Sequence, residues 1–240
     1  MTERGATHAQ VNRSLLVEFA DVLAGLEWDL ALLQEAPPRW LAPLEERCGA
    51  SGASVHTSRN ALTPLRALAA ELNPDLIASN EGGSNQVLVR APWRVAEVHH
   101  EVLTKRPERR VVALVRATAP GGAELCAGCL HASRGSRDAA RDVSLAAEVA
   151  GEWAGSRPLV LGGDFNVRPE EDPELYASLE RRHGLRPAVA KSIDQLLARG
   201  LEPLGRPAAL APEAREVADR SGLLLRLSDH PVVVASFSVE

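Results

Sequence analysis

Acidic, amide and imidazole side chains stand at the ends of short apolar runs throughout this 240-residue chain. Glu35 follows the run Trp28–Leu33, His131 follows LCAGCL, and Asp164 and Asn166 follow PLVLGG. Asp194 closes Ser192-Ile193-Asp194, while Asp229 and His230 precede the run VVVASF. Should these ends meet on one rim, they gather four carboxylates, one amide and two imidazoles. Oxygen-rich sets of this kind suit a hard divalent cation, Mg²⁺ or Mn²⁺, rather than zinc. Hydrolysis of a phosphate ester needs such an ion, which offsets charge on the phosphoryl oxygens and lowers the pKa of an attacking water.

The sharpest segment is Leu161-Gly162-Gly163-Asp164-Phe165-Asn166. Its glycines permit a close backbone approach or a tight turn. Asp164 and Asn166, two apart in extended chain, point to one side. One could hold a metal-bound water while the other donates an amide N–H to a phosphoryl oxygen. A plain Gly-Asp-Phe-Asn turn with side chains bonded to their own backbone explains the same residues about equally well. Ser228-Asp229-His230-Pro231 could bring a general base or a transition-state-stabilising imidazole to the rim. It could equally be a loop with proline at a strand entrance. Asp194 would then orient the His230 ring, as a third group does in catalytic triads.

The elements that must carry these residues alternate. Apolar residues at helical spacing over 8–25 (Val11, Leu15, Leu16, Phe19, Val22, Leu23) predict a helix, followed by a strand at Trp28–Leu33 and a short helix over Arg39–Arg47. Four Val- and Leu-rich runs, Asn85–Arg90, Arg94–Leu103, Arg110–Ala117 and Glu124–His131, are joined by short links and predict an antiparallel meander. Arg137–Trp153 is an amphipathic helix, with a strand at Arg157–Gly162, a helix at Glu170–Arg182, and strands at Ser192–Leu197 and Pro231–Phe237. No repeat, low-complexity tract or composition break divides the chain, which is expected to form one domain over 1–240.

Composition excludes several classes. Hydrophobic residues at 45% and charged residues at 25% are those of a globular chain. A net charge of −5 leaves no global basic field for nucleic acid, and eight aromatic residues are too few for a stacking platform. No stretch approaches the ~18 apolar residues of a membrane span. The polar opening MTERGATHAQ lacks the apolar core of a secretory signal, and three cysteines cannot make a disulfide framework. A cytoplasmic setting is the expectation.

In order along the chain, Leu33-Gln34-Glu35, Ser84-Asn85-Gln86-Val87-Leu88-Val89, Leu130-His131, Gly163-Asp164-Phe165-Asn166, Ile193-Asp194 and Ser228-Asp229-His230 resemble the motifs of the endonuclease/exonuclease/phosphatase superfamily, the deoxyribonuclease-I-like hydrolases. The resemblance spans residues 33–230. It implies an α/β fold, a four-layer sandwich of two packed mixed sheets flanked by helices, and metal-dependent attack of water on a phosphoester. By the same resemblance Glu35 is the principal metal ligand and Asp229 assists at the metal. Asp164 orients or deprotonates the water and Asn166 binds phosphate. His230, held by Asp194, contacts the scissile phosphate, and His131 contacts the phosphate or assists the leaving group. Asn85, within the second motif, is counted among substrate-binding residues, as are Arg134 and Arg137, which follow His131 closely enough to bind phosphate. Arg141 matches a frequent family arginine, though a solvated helix face explains it better.

One family feature is missing. Members begin with a strand ending in an Asn that contributes to the metal site, whereas here the first helix starts near Met1, and Asn12, within its stripe, is a poor substitute. A form extended upstream is therefore expected to be more stable and more active, and a catalytically impaired relative acting as a binding module is the alternative reading.

Some features imitate sites. Cys126 and Cys129 have redox or zinc spacing, but only Cys48 remains as a further cysteine, and the pair would point to opposite faces of a strand. His99 and His100 read as surface histidines. Lys105, Arg106, Arg109 and Arg110 read as a solvated hairpin tip, with phosphate contact the less common use of such a run. The substrate is expected to be a phosphate ester, nucleic acid among the options.

Overall fold

The computed structural model describes residues 8–9, 13–57, 83–220 and 222–238. Val11 and Asn12 lie outside them. Helix α1 (Leu16–Gly25) and helix α2 (Leu41–Cys48) pack on a three-stranded antiparallel sheet made of β1 (Leu30–Ala36), β3 (Ser84–Arg90) and β2 (Ala50–His56), in the order β1-β3-β2. A five-stranded mixed sheet contains β4 (Arg94–Thr104), β5 (Arg110–Thr118), β6 (Glu124–His131), β7 (Leu159–Asp164) and β8 (Asp194–Arg199) in chain order. Its outer face is covered by α3 (Ser136–Ala154) and α4 (Pro173–His183).

Three apolar layers hold this stack together. The outer one sets Leu23, Leu44 and Leu88 between the first two helices and the small sheet. The middle one lies between the sheets, where Val55, Val87 and Val89 meet Val111, Ala113, Val115 and Cys129. The third joins Leu114, Leu130 and Leu161 to the alanine-rich face of α3 and to Leu175 and Leu179 of α4. Strand β5 supplies both of its neighbouring layers, Val111, Ala113 and Val115 to one and Val112 and Leu114 to the other. That is why its sequence is a continuous apolar run rather than an alternating one. The four-layer sandwich expected from the motifs is the observed architecture.

Helix α4 begins and ends where its sequence provides caps. The Asp172 side chain accepts the Leu175 N–H at 2.9 Å, Pro173 opens α4, and Gly184 closes it at φ 68°. The predicted start at Glu170 therefore falls in the capping turn. In α3, Ala139, Val143, Ala146, Ala147 and Ala150 form the buried stripe, close to the predicted span.

Two expectations need correction, and one strand was not expected at all. Asn85–Arg90 does not join a four-strand meander: it is β3, the centre of the other sheet, and the chain changes sheets between Arg90 and Arg94. Strand β2 went unpredicted because ASGASVH carries one branched apolar residue; it forms because β3 offers it a full register from Ala50↔Arg90 to His56↔Ser84. Pro231–Phe237 is not one strand but two short pieces, Val233–Val234 paired with Ala208–Ala209 and Phe237–Ser238 paired with Glu202–Pro203. Among the described residues no strand precedes α1, and β1 pairs with β3 alone. Among them also, no helix is long and apolar enough to cross a membrane.

Candidate active site at the ends of the two sheets

Register builds the core of the site. Parallel pairing of β6 with β7 sets His131 beside Asp164, and antiparallel pairing of β7 with β8 sets Asp164 beside Asp194. Three candidate side chains from three separate segments thus lie abreast at one end of the large sheet. Gly162 and Gly163 make the close strand packing possible. A Cβ on Gly162 would come within 2.6 Å of the Gln195 carbonyl oxygen, and Gly163, at φ +127°, has the Leu130 carbonyl inside van der Waals range of any Cβ.

Strand β1 brings Glu35 from the other sheet. The pairing of β1 with β3 shifts between Leu33 and Ala36, and Glu35 takes φ 55° there. Asn166 has φ 52°. Left-handed backbone at non-glycine residues costs energy and concentrates at functional sites. The Glu35 carboxylate is 69% exposed and reaches the His131 ring, with Oε1 3.6 Å from Nδ1.

The result is an alternating chain of carboxylates and imidazoles. His131 Nε2 lies 3.5 Å from Asp164 Oδ2, and the same oxygen faces His230 Nε2 at 4.0 Å. On its other side the His230 ring donates from Nδ1 to Asp194 Oδ1 at 2.9 Å. The order is therefore Glu35, His131, Asp164, His230, Asp194. Asp164 Oδ1 accepts the Asn166 backbone N–H at 2.8 Å, and the Asn166 amide donates to the Ala132 carbonyl at 3.0 Å, leaving its second N–H available. The turn reading and the site reading of Gly-Asp-Phe-Asn both hold here, since the local bonds fix groups that also face the histidines.

The two rings differ electrostatically. Burial, followed by the charges of Arg110, His230 and Arg134, pushes His131 down to about 4. The hydrogen bond to Asp194 outweighs burial and raises His230 to about 9, with Asp194, Asp164 and Asp229 adding to the rise. Burial also lifts the Asp164 carboxyl above its ordinary range, against the Asn166 N–H and the His230 charge.

Not every expected residue joins this row. Asp229 is exposed and acts on His230 electrostatically, without a hydrogen bond. Among the described residues, the group of potential metal donors lying within 4.8 Å of one another is Asp164, Asp194 and His230, which includes neither Glu35 nor Asp229. Asn85 is fully buried between the sheets, where its amide donates to the Val111 carbonyl at 2.8 Å. It ties the layers together and is not open to a substrate. Arg134 and Arg137 are exposed, and Arg134 is near enough for its charge to bear on His131. Arg141 is not merely solvated, because it donates to Thr104 Oγ1 at 2.8 Å.

Among the imitators, Cys126 faces the α3 layer and Cys129 the inter-sheet layer, both as free thiols. His99 and His100 are exposed, and the His99 ring stacks on Trp153. The basic run divides. Lys105 and Arg106 are exposed, but Arg110 is 5% exposed and paired with Glu108, because it begins β5 instead of ending the hairpin tip. Sequence reasoning also passed over Asp142. A carboxylate within the Ala139/Val143/Ala146 stripe was the signal, and the side chain is indeed wholly buried.

Fold and site together define a deoxyribonuclease-I-like α/β sandwich with its polar row at one end of the stacked sheets. The chain belongs to the Endonuclease/Exonuclease/phosphatase family, whose sequence profile matches residues 11–230. No curated protein matches the chain in sequence. Among solved structures, a functionally unknown conserved protein from Enterococcus faecalis V583 superposes with TM-score 0.67 at 13% identity, over 94% of this chain and 91% of that one. An endonuclease/exonuclease/phosphatase family protein from Bacteroides thetaiotaomicron gives 0.66 at 16% identity, over 92% and 87%. The human Nocturnin catalytic domain with bound sulfate gives 0.65 at 18% identity, over 93% and 85%.

Proposed function

We propose that this protein is a divalent-metal-dependent phosphoesterase that hydrolyses a phosphodiester or phosphomonoester by attack of water. The observation that carries this reading is the alternating row Glu35–His131–Asp164–His230–Asp194 at one end of the sheets. The family name itself covers nucleases and phosphatases, which cleave phosphoesters. Sulfate in the Nocturnin structure is a tetrahedral oxyanion of phosphate shape, and supports an oxyanion as the ligand here.

Carboxylate oxygens suit a hard cation, and among the described residues the donors within 4.8 Å of one another are Asp164, Asp194 and His230. Glu35 presents a largely exposed carboxylate with a single ion-pair contact, and Asp229 is exposed beside His230. Glu35, assisted by Asp229, would hold Mg²⁺ or Mn²⁺. When bound, such an ion offsets phosphoryl charge and acidifies a water.

The chain's own groups supply the rest. Asp164, with its carboxyl lifted by burial, orients the attacking water and accepts its proton. His230 is the imidazolium that meets the phosphoryl oxygens, and Asp194 fixes its ring. His131 stays neutral, and the free N–H of Asn166 reaches toward the same phosphate. Arg134 and Arg137 bind the substrate's negative charge at the mouth.

The test is hydrolysis of bis(p-nitrophenyl) phosphate and p-nitrophenyl phosphate by chelator-stripped protein, with and without added Mg²⁺ or Mn²⁺. Turnover that depends on either ion is expected. Turnover unaffected by chelation would overturn the metal requirement, and no turnover under any condition would favour a binding module. Plasmid, abasic oligonucleotide, inositol phosphates and nucleotide-based phosphodiesters in the same assay would identify the substrate class.

A further inference from the structure

Helix α3 buries one carboxylate that the proposed chemistry does not use. Asp142 has no exposed surface and stands in a stripe otherwise made of alanine and valine. An apolar side chain there would extend the core, whereas a buried carboxylate is tolerated only when donors surround it. Three donors do. Ser133 N–H donates to Oδ2 at 3.0 Å, Thr104 Oγ1–H donates to Oδ1 at 2.6 Å, and Arg141 Nη2 stands 3.5 Å from Oδ1.

The first of these bonds reaches the site. Ala132 follows His131 directly; its N–H donates to the Asp164 carbonyl at 2.9 Å and its carbonyl accepts from the Asn166 amide at 3.0 Å. The next residue, Ser133, is held from the opposite side by Asp142. The chain leaving His131 is thus gripped at successive residues, by the site and then by the helix. Arg134 comes next and makes no hydrogen bond or ion pair among the described residues, so its place at the mouth depends on the path of this turn. Gly135, at φ 91°, precedes α3 without a side-chain cap, so the Asp142 bond is the side-chain tie that the helix itself makes to that turn.

We propose that Asp142 is a positioning residue that, through Ser133 and braced by Thr104, sets the turn carrying Arg134 so that its guanidinium meets an oxyanion beside His131. This rests on the phosphoesterase reading above for the identity of that oxyanion as part of a substrate.

The test uses the full chain and two readouts, the affinity for inorganic sulfate by calorimetry and the kinetics of bis(p-nitrophenyl) phosphate hydrolysis. Asp142→Ala is expected to weaken sulfate binding and raise KM by about tenfold, with kcat falling less than about threefold. Asp142→Asn, which can still accept the Ser133 N–H, is expected to recover most of that loss. Arg134→Gln should match Asp142→Ala, and the double variant should be no worse than Arg134→Gln alone. If Asp142→Ala does not fold, Thr104→Val in the same cycle removes one brace without stranding a buried charge. Losses that multiply in the double variant would overturn the proposal. So would a lowered Tm in Thr104→Val with unchanged sulfate affinity, or a wild-type protein that does not bind sulfate. Sulfate binding without turnover would refute the phosphoesterase reading instead, while the cycle on sulfate affinity still decides the role of Asp142.

Discussion

Two histidines share one carboxylate oxygen, yet they hold protons differently because of what backs each ring. His131 is 9% exposed at its side chain and has cationic neighbours, so it is neutral at pH 7. His230 is 39% exposed and bonded to Asp194, so it is charged. A raised folded-state pKa contributes stability that is fully present below the ordinary value of about 6.5 and is lost as pH rises through about 9. Chelator-treated wild-type protein should therefore lose denaturant resistance between pH 6.5 and 9.5 relative to His230→Gln, by a modest amount given the exposure of the ring. Parallel stability curves for the two proteins across that range would show that the Asp194 pair does not hold the proton in the folded state.

Elements bring these residues together through strand pairing, and the pairing depends on the absence of a side chain at Gly163. Gly163→Ala places a Cβ against the Leu130 carbonyl in a backbone conformation unfavourable to any L-residue. It should cost about 3 kcal/mol or more of unfolding free energy, read from urea denaturation. A loss within about 0.5 kcal/mol would mean that β6 and β7 are not packed as described. Legibility in the sequence follows the same elements. Helices α3 and α4 could be read because the alanine and leucine stripes keep a helical period and Asp172-Pro173 and Gly184 mark the ends of α4. Strand β2 could not, since small and polar residues become a strand only beside β3. The sheet change after β3 was also hidden, because a short link between two apolar runs looks the same whether it joins neighbours in one sheet or partners in two. For the candidate site, polar residues closing apolar runs pointed to Glu35, His131 and Asp164, Ser192-Ile193-Asp194 pointed to Asp194, and the pair preceding the last apolar run pointed to His230. Asn85 has the same polarity but is enclosed between layers, and nothing local distinguishes the two cases.

For the molecule as a whole, the site exists only when both sheets are stacked. Glu35 comes from the small sheet and His131, Asp164 and Asp194 from the large one, so the apolar layer of Val55, Val87, Val89, Val111 and Val115 sets the distance across which Glu35 meets His131. His230 arrives from beyond the last long strand, after the short hairpin that pairs Glu216–Ala218 with Leu224–Arg226. With a net charge of −5, an anionic substrate such as the proposed one would have to be drawn locally, by groups such as His230 and Arg134, against the field of the remainder. Asp164 is the group at the centre of the row, in reach of both imidazoles. The most direct test is the rate of bis(p-nitrophenyl) phosphate hydrolysis by wild-type and Asp164→Ala proteins, both saturated with Mn²⁺ and both confirmed folded by thermal denaturation. A fall of about a hundredfold or more in kcat is expected for Asp164→Ala; equal rates in the two proteins would contradict the assignment of the catalytic centre to this row.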